Sequence, residues 1–144
     1  MKKILFLCTG NSCRSQMAEG LARHFLDKNG FEFYSAGTKP SFVDPRAIKV
    51  MAEIGIDISN HRSKSVDEFK GMDFYSVITV CDKARESCPV WFGKTVKKIH
   101  NSFEDPPFLA KDSKTEEESL SHYRRVRDEI KNFILKLPSL LSET

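Results

Sequence analysis

Near its start the chain carries residue types that can do chemistry together: Cys8-Thr9-Gly10-Asn11-Ser12-Cys13-Arg14-Ser15. A thiolate is a strong nucleophile, and Arg14, six positions after Cys8, offers a planar fork suited to a tetrahedral oxyanion. The flanks say how the two are presented. Ile4-Leu5-Phe6-Leu7 is short and bulky enough for a buried strand, while Met17, Ala18, Leu21, Ala22, Phe25 and Leu26 recur at helical spacing. The stretch therefore reads as a tight turn from a strand into a helix N-terminus. There, unpaired N–H groups and the helix dipole favour an anion and depress the pKa of a thiol. Thr9, Gly10, Asn11, Ser12, Cys13 and Arg14 are the expected oxyanion-binding positions. Asn11 tolerates positive φ and suits the loop's shape, Cys13 is expected to be structural, and Ser15 is a good helix cap.

Three further residues join this site in the reading. Asp105, in Asp105-Pro106-Pro107, is a candidate general acid or base on a stiff loop, with an ordinary turn aspartate as the bland alternative. Cys81 closes the most strand-like run of the chain, and Cys88 follows seven positions later, before Pro89. A phosphatase needs one nucleophilic cysteine. A reductase must supply two electrons, which a thiol pair does by becoming a disulfide. In a helix the two Cα atoms would stand about 10 Å apart. A disulfide needs less than about 7 Å, so oxidation would have to unwind or loop out the segment. A zinc site is not expected, since histidines 24, 61, 100 and 122 form no ligand spacing.

Cys-x5-Arg-Ser in this setting resembles the signature of the low-molecular-weight tyrosine phosphatases and of the arsenate reductases that share their fold. The string Cys8-Thr-Gly-Asn-Ser-Cys-Arg-Ser-Gln-Met-Ala-Glu-Gly20 is most similar to the thioredoxin-coupled reductases. The resemblance implies a cycle. Cys8 attacks arsenate, Ser15 donates to its thiolate, and Asp105 helps water leave. Cys81 then attacks Cys8 and releases arsenite. Cys88 attacks Cys81, and thioredoxin reduces the resulting Cys81–Cys88 disulfide. No cofactor is implied. The runner-up is a low-molecular-weight phosphatase acting on aryl phosphates, with Phe42, Trp91 and Phe108 as possible walls. Some of these reductases hold a potassium ion. Here Asn11, Glu19 and Ser35 match, but Lys64 stands at the aspartate position, so an ammonium paired with Glu19 is expected in place of the ion.

Along the chain lie the elements that must position these groups. The first helix is expected to end at Asn29-Gly30, followed by a strand from Phe31 to Ser35 closed by Ala36-Gly37. Asp44-Pro45 opens a helix carrying Ala47, Val50, Met51 and Ile54, and Gly55 stops it. Residues 66–69 suit a short helical turn, 74–81 a strand buried on both faces, and 95–100 a fourth strand. The last helix begins near Thr115, with Glu116 to Glu118 first and Arg124, Arg125, Arg127 and Lys131 later to complement its dipole, and ends at Pro138. Alternating strands and helices imply an α/β fold of three layers, α/β/α, with a four-stranded parallel sheet. At 144 residues the chain is expected to be one domain, 1–144. Its net charge of +3, scattered, argues against nucleic acid or a membrane surface as partner. No span reaches transmembrane length, so a cytoplasmic protein with reduced thiols is expected.

Overall fold

The computed structural model describes residues 1–26, 30–82, 91 and 93–142. Four strands, β1 (Lys2–Cys8), β2 (Phe31–Gly37), β3 (Phe74–Thr79) and β4 (Thr95–His100), form one parallel sheet in the order β2-β1-β3-β4. Ile4, Leu5, Phe6 and Leu7 of the central β1 are all fully buried, which is why the run shows no polar alternation. Ile4 and Phe6 pack beneath the helices α1 (Arg14–Phe25), α2 (Pro45–Ala52) and α4 (Glu116–Ser142). Leu5 and Leu7 face the other way, onto Phe69 of the 3₁₀ turn Val66–Phe69 and onto Phe74 and Trp91. Among the described residues no helix is long and apolar enough to cross a membrane.

Several boundaries follow local chemistry. The Asp44 side chain accepts from Arg46 N–H at 2.9 Å and caps α2, with Pro45 in the first turn. Thr115 Oγ1 accepts from Glu118 N–H and caps α4. Helix α1 instead ends at Phe25, because Leu26 turns extended, and Asn29 lies outside the described residues. Strand β3 stops at Thr79, two residues before Cys81.

Pro138 does not end the last helix but lies inside it. A proline in a helix interior costs roughly 3 kcal/mol. Burying a leucine returns about 1.5–3 kcal/mol, and both Leu137 and Leu141 are buried beside it. Tertiary packing therefore carries the helix through. Carbonyls near its end find partners on the sheet: Tyr75 Oη donates to Leu141 O at 3.1 Å and Lys97 Nζ donates to Leu140 O. With the helix this long, the arginines are not in its last turn. They pair sideways, Arg124 and Arg127 with Glu53 on the far side of the α2–α4 interface and Arg125 with Glu104 and Glu129.

Gly37, at the end of β2, lets the loop after β1 lie against the sheet. A Cβ there would stand 2.5 Å from Thr9 O and 2.8 Å from Asn11 N, both backbone atoms that cannot swing aside. Gly37→Ala is expected to cost about 1–3 kcal/mol, as overpacking usually does, read from the urea denaturation midpoint.

Candidate active site

The strand order reverses between β1 and β3, and in open parallel sheets a cleft forms beyond the strand ends at such a point. The loop Thr9–Cys13 occupies it. Its carbonyls are tied outward one after another. Lys39 N–H donates to Thr9 O, Ser63 Oγ to Gly10 O, Gln16 Nε2 to Asn11 O and Asp44 N–H to Ser12 O, all within 2.9–3.1 Å. No peptide bond among the described residues is cis. In a trans peptide the N–H opposes the C=O, so the N–H groups of Gly10, Asn11, Ser12 and Cys13 turn to the inner side. Asn11 is left-handed, φ 47°, as its residue type suggested. Its buried side chain accepts from Lys64 N–H and Gln16 Nε2 and donates to Ser15 Oγ, pinning the loop from behind.

The loop closes around a cavity of about 370 Å³ lined by Cys8, Thr9, Gly10, Ser12, Cys13 and Arg14, and by Asp82, Asp105, Pro107 and Phe108 across from them. Arg14 is almost entirely buried. Its Nη1 donates to Phe103 O at 3.0 Å, and its Nη2 stands 3.6 Å from Asp105 Oδ1. The loop between β4 and the short helix α3 (Pro106–Ala110) thus orients the guanidinium and also supplies the carboxylate. Phe108 forms the aromatic wall, with Lys111 Nζ 4.0 Å from its ring centroid.

Two of the cysteines share this cavity as reduced thiols, Cys8 and Cys13. Burial pushes the Cys13 thiol well up, Asp44 and Asp105 add to the effect, and Arg14 only partly offsets it. Cys13 therefore stays neutral, in keeping with a structural part. Cys81 is fully buried and disulfide-bonded, just beyond the strand that neighbours β1, where Val80 N–H donates to Leu7 O. Cys88 lies outside the described residues.

Other expectations change once the side chains are placed. Ser15 is not the helix cap. Cys13 holds that position without a side-chain bond, and Ser15 sits inside α1 against Asn11. Trp91 is no cavity wall, because its ring packs edge-on to Phe74 beneath the sheet. Phe42 lines a neighbouring groove with Arg46 and Tyr123. Asp82 was not singled out from the sequence, although its place directly after a cysteine at a strand end was the available signal.

The model of the low molecular weight phosphotyrosine protein phosphatase family matches residues 3–144. The chain belongs to this family. Within it, an arsenate reductase of Bacillus subtilis (strain 168) is 46% identical over 131 residues, 91% of either chain. A solved arsenate reductase in its phosphate binding state superposes with a TM-score of 0.78 at 35% identity, covering 99% of this chain and 100% of that one. The low molecular weight protein tyrosine phosphatase of T. tengcongensis superposes at 0.68 and 28% identity, covering 96% and 99%.

Behind the loop, the residues expected around a cation position, Asn11, Glu19, Ser35 and Lys64, stand together. Lys64 Nζ lies 3.8 Å from Glu19 Oε1 and donates to Arg62 O, while Ser35 Oγ donates to the same Glu19 oxygen. The Lys64 ammonium thus stands against the Glu19 carboxylate, the arrangement expected of a lysine in place of an ion. At equal ionic strength, potassium and sodium chloride are expected to give the same melting temperature and the same turnover, and a marked preference for potassium would refute this.

The same cluster carries a pH dependence. Burial lowers the pKa of His61, Glu19 partly opposes that, and Arg23 and Lys64 reinforce it. His61 Nδ1 donates to Gln16 Oε1 at 3.1 Å, which sets the Nδ1–H tautomer of the neutral ring. A folded-state pKa below the unfolded 6.5 means that stability present above that pH is lost as pH falls through the folded value. Urea midpoints are expected to drop on acidification through this window, and less so in His61→Gln.

Proposed function

We propose that the chain reduces arsenate to arsenite, acting as one domain in the cytoplasm with a dithiol protein of the thioredoxin type as electron donor. The observation that carries this is the meeting of Cys8, Arg14 and Asp105 around one cavity, with Cys81 on the adjacent strand position. The relatives named arsenate reductases support the choice of oxyanion.

Arsenate sits against the inward N–H groups with Arg14 across its oxygens, and Cys8 attacks as the thiolate, which that guanidinium favours and to which Ser15 donates. Asp105 gives a proton to the departing oxygen, which leaves as water. Cys81 attacks Cys8 Sγ, arsenite departs, and Cys88 draws the disulfide onto Cys81 for reduction by the donor. A second reading, aryl phosphate hydrolysis by Cys8, Arg14 and Asp105 alone, draws support from Phe108 as an aromatic wall.

Arsenate-dependent NADPH consumption with thioredoxin and thioredoxin reductase, run beside aryl phosphate hydrolysis, separates the readings. Cys8→Ser is expected to abolish both activities, and Asp105→Asn to lower both by roughly 10²–10⁴-fold. Cys81→Ser and Cys88→Ser are expected to remove arsenate turnover only. Hydrolysis without any arsenate turnover would establish the phosphatase instead.

A further inference from the structure

Two carboxylates line the cavity, not one: Asp105 opposite Arg14, and Asp82 on the residue directly after Cys81. We propose that Asp82 is a second catalytic carboxylate, which takes the proton of the Cys81 thiol and hands it to the departing arsenite. This rests on the reductase reading and concerns its second step, which a phosphatase does not have.

The proton demand of that step argues for it. In the first step the Cys8–arsenic bond forms, an arsenic–oxygen bond breaks, and Asp105 supplies the proton that makes the leaving oxygen water. In the second, the Cys81 and Cys8 sulfurs bond, the Cys8–arsenic bond breaks, and its electron pair stays on arsenic. Arsenic goes from the pentavalent to the trivalent state, and two thiols become one disulfide, restored later by the dithiol donor. Two things then happen to protons. Cys81, once reduced, must lose one before it can attack. Trivalent arsenic oxyanions are also far more basic than pentavalent ones, so the product must gain protons as it leaves. A carboxylate on the cavity wall, one residue from the attacking cysteine, meets the two needs in sequence, base first and acid second. Asp82 is half-buried, opens on the cavity and adjoins Cys81 in the chain, whereas the Asp105 carboxylate faces Arg14 from the other side. The last proton that makes arsenite neutral comes from water after release.

The test is arsenite formed in a single turnover of the fully reduced protein, acid-quenched at a series of pH values between about 6 and 9. The wild-type rate is expected to be nearly flat, since proton removal does not wait on hydroxide. Asp82→Asn is expected to be at least about tenfold slower at neutral pH and to rise about tenfold per pH unit, as hydroxide takes over from the missing base. Asp82→Glu should restore the flat profile, which a purely structural role would not do. A flat, undiminished Asp82→Asn profile overturns the assignment while leaving the reductase reading in place. An Asp82→Glu profile as steep as that of Asp82→Asn overturns it too. No arsenite from the wild-type protein overturns the reductase reading itself, and this assignment with it.

Discussion

A loop can cradle an anion with its N–H groups only if its carbonyls, forced to the opposite side, are satisfied elsewhere. In the loop after β1 this demand reaches deep into the molecule. Thr9, Gly10, Asn11 and Ser12 hand their carbonyls to Lys39, Ser63, Gln16 and Asp44, and at the buried Asn11 an unmade bond would cost about 1–3 kcal/mol. Those partners come from the segment after β2, the stretch before the 3₁₀ turn, helix α1 and the cap of α2. Asp44 is held in turn by Tyr123 Oη of α4, at 2.6 Å. The loop's shape is therefore a property of the whole fold.

That arrangement leaves the chemistry to the residues on the other side of the cavity. Arg14 is buried and anchored from the β4 loop through Phe103 O, so its charge is set before any substrate arrives, and no reorganisation is needed when an oxyanion enters. On the proposed reading, the residues that only the reduction uses stand beyond the end of β3, and those beyond β4 serve both activities. Cys81 and Asp82 lie past one strand, Asp105 and Phe108 past the other. On that reading the same scaffold exchanges hydrolysis for electron transfer by changing a few side chains beyond one strand end, without disturbing the loop.

Where a pattern was local, the sequence spoke for it. The apolar run of β1, the Asp44-Pro45 start of α2, the 95–100 strand and the pairing of Cys8 with Arg14 each rest on neighbours within a few residues. The features that were not legible depended on distant packing. Pro138 reads as a stop until Leu137 and Leu141 are seen buried on either side of it. Ser15 reads as a cap until the loop places Cys13 there. Trp91 could belong to either face of the sheet, and only Phe74 decides which. Lys64 was legible because a charge was out of pattern, and its partner Glu19 lies forty-five positions away. Asp82 is legible only through its neighbour, as the residue directly after Cys81 at a strand end.

The long C-terminal helix has a further consequence, for the order in which the protein can be made. Leu120, Tyr123, Val126, Ile130, Ile134, Leu137 and Leu141 all enter the core beneath β1, and the helix packs against α1, α2 and α3. The strands they cover are synthesised first, and their cover is synthesised last. Until α4 has emerged, this face of the sheet is covered only by α1, α2 and α3, and the Tyr75 and Lys97 side chains lack the carbonyls that fasten α4 to it. Closure of the core, and with it the anchoring of Asp44 by Tyr123 behind the loop, therefore waits on the synthesis of α4.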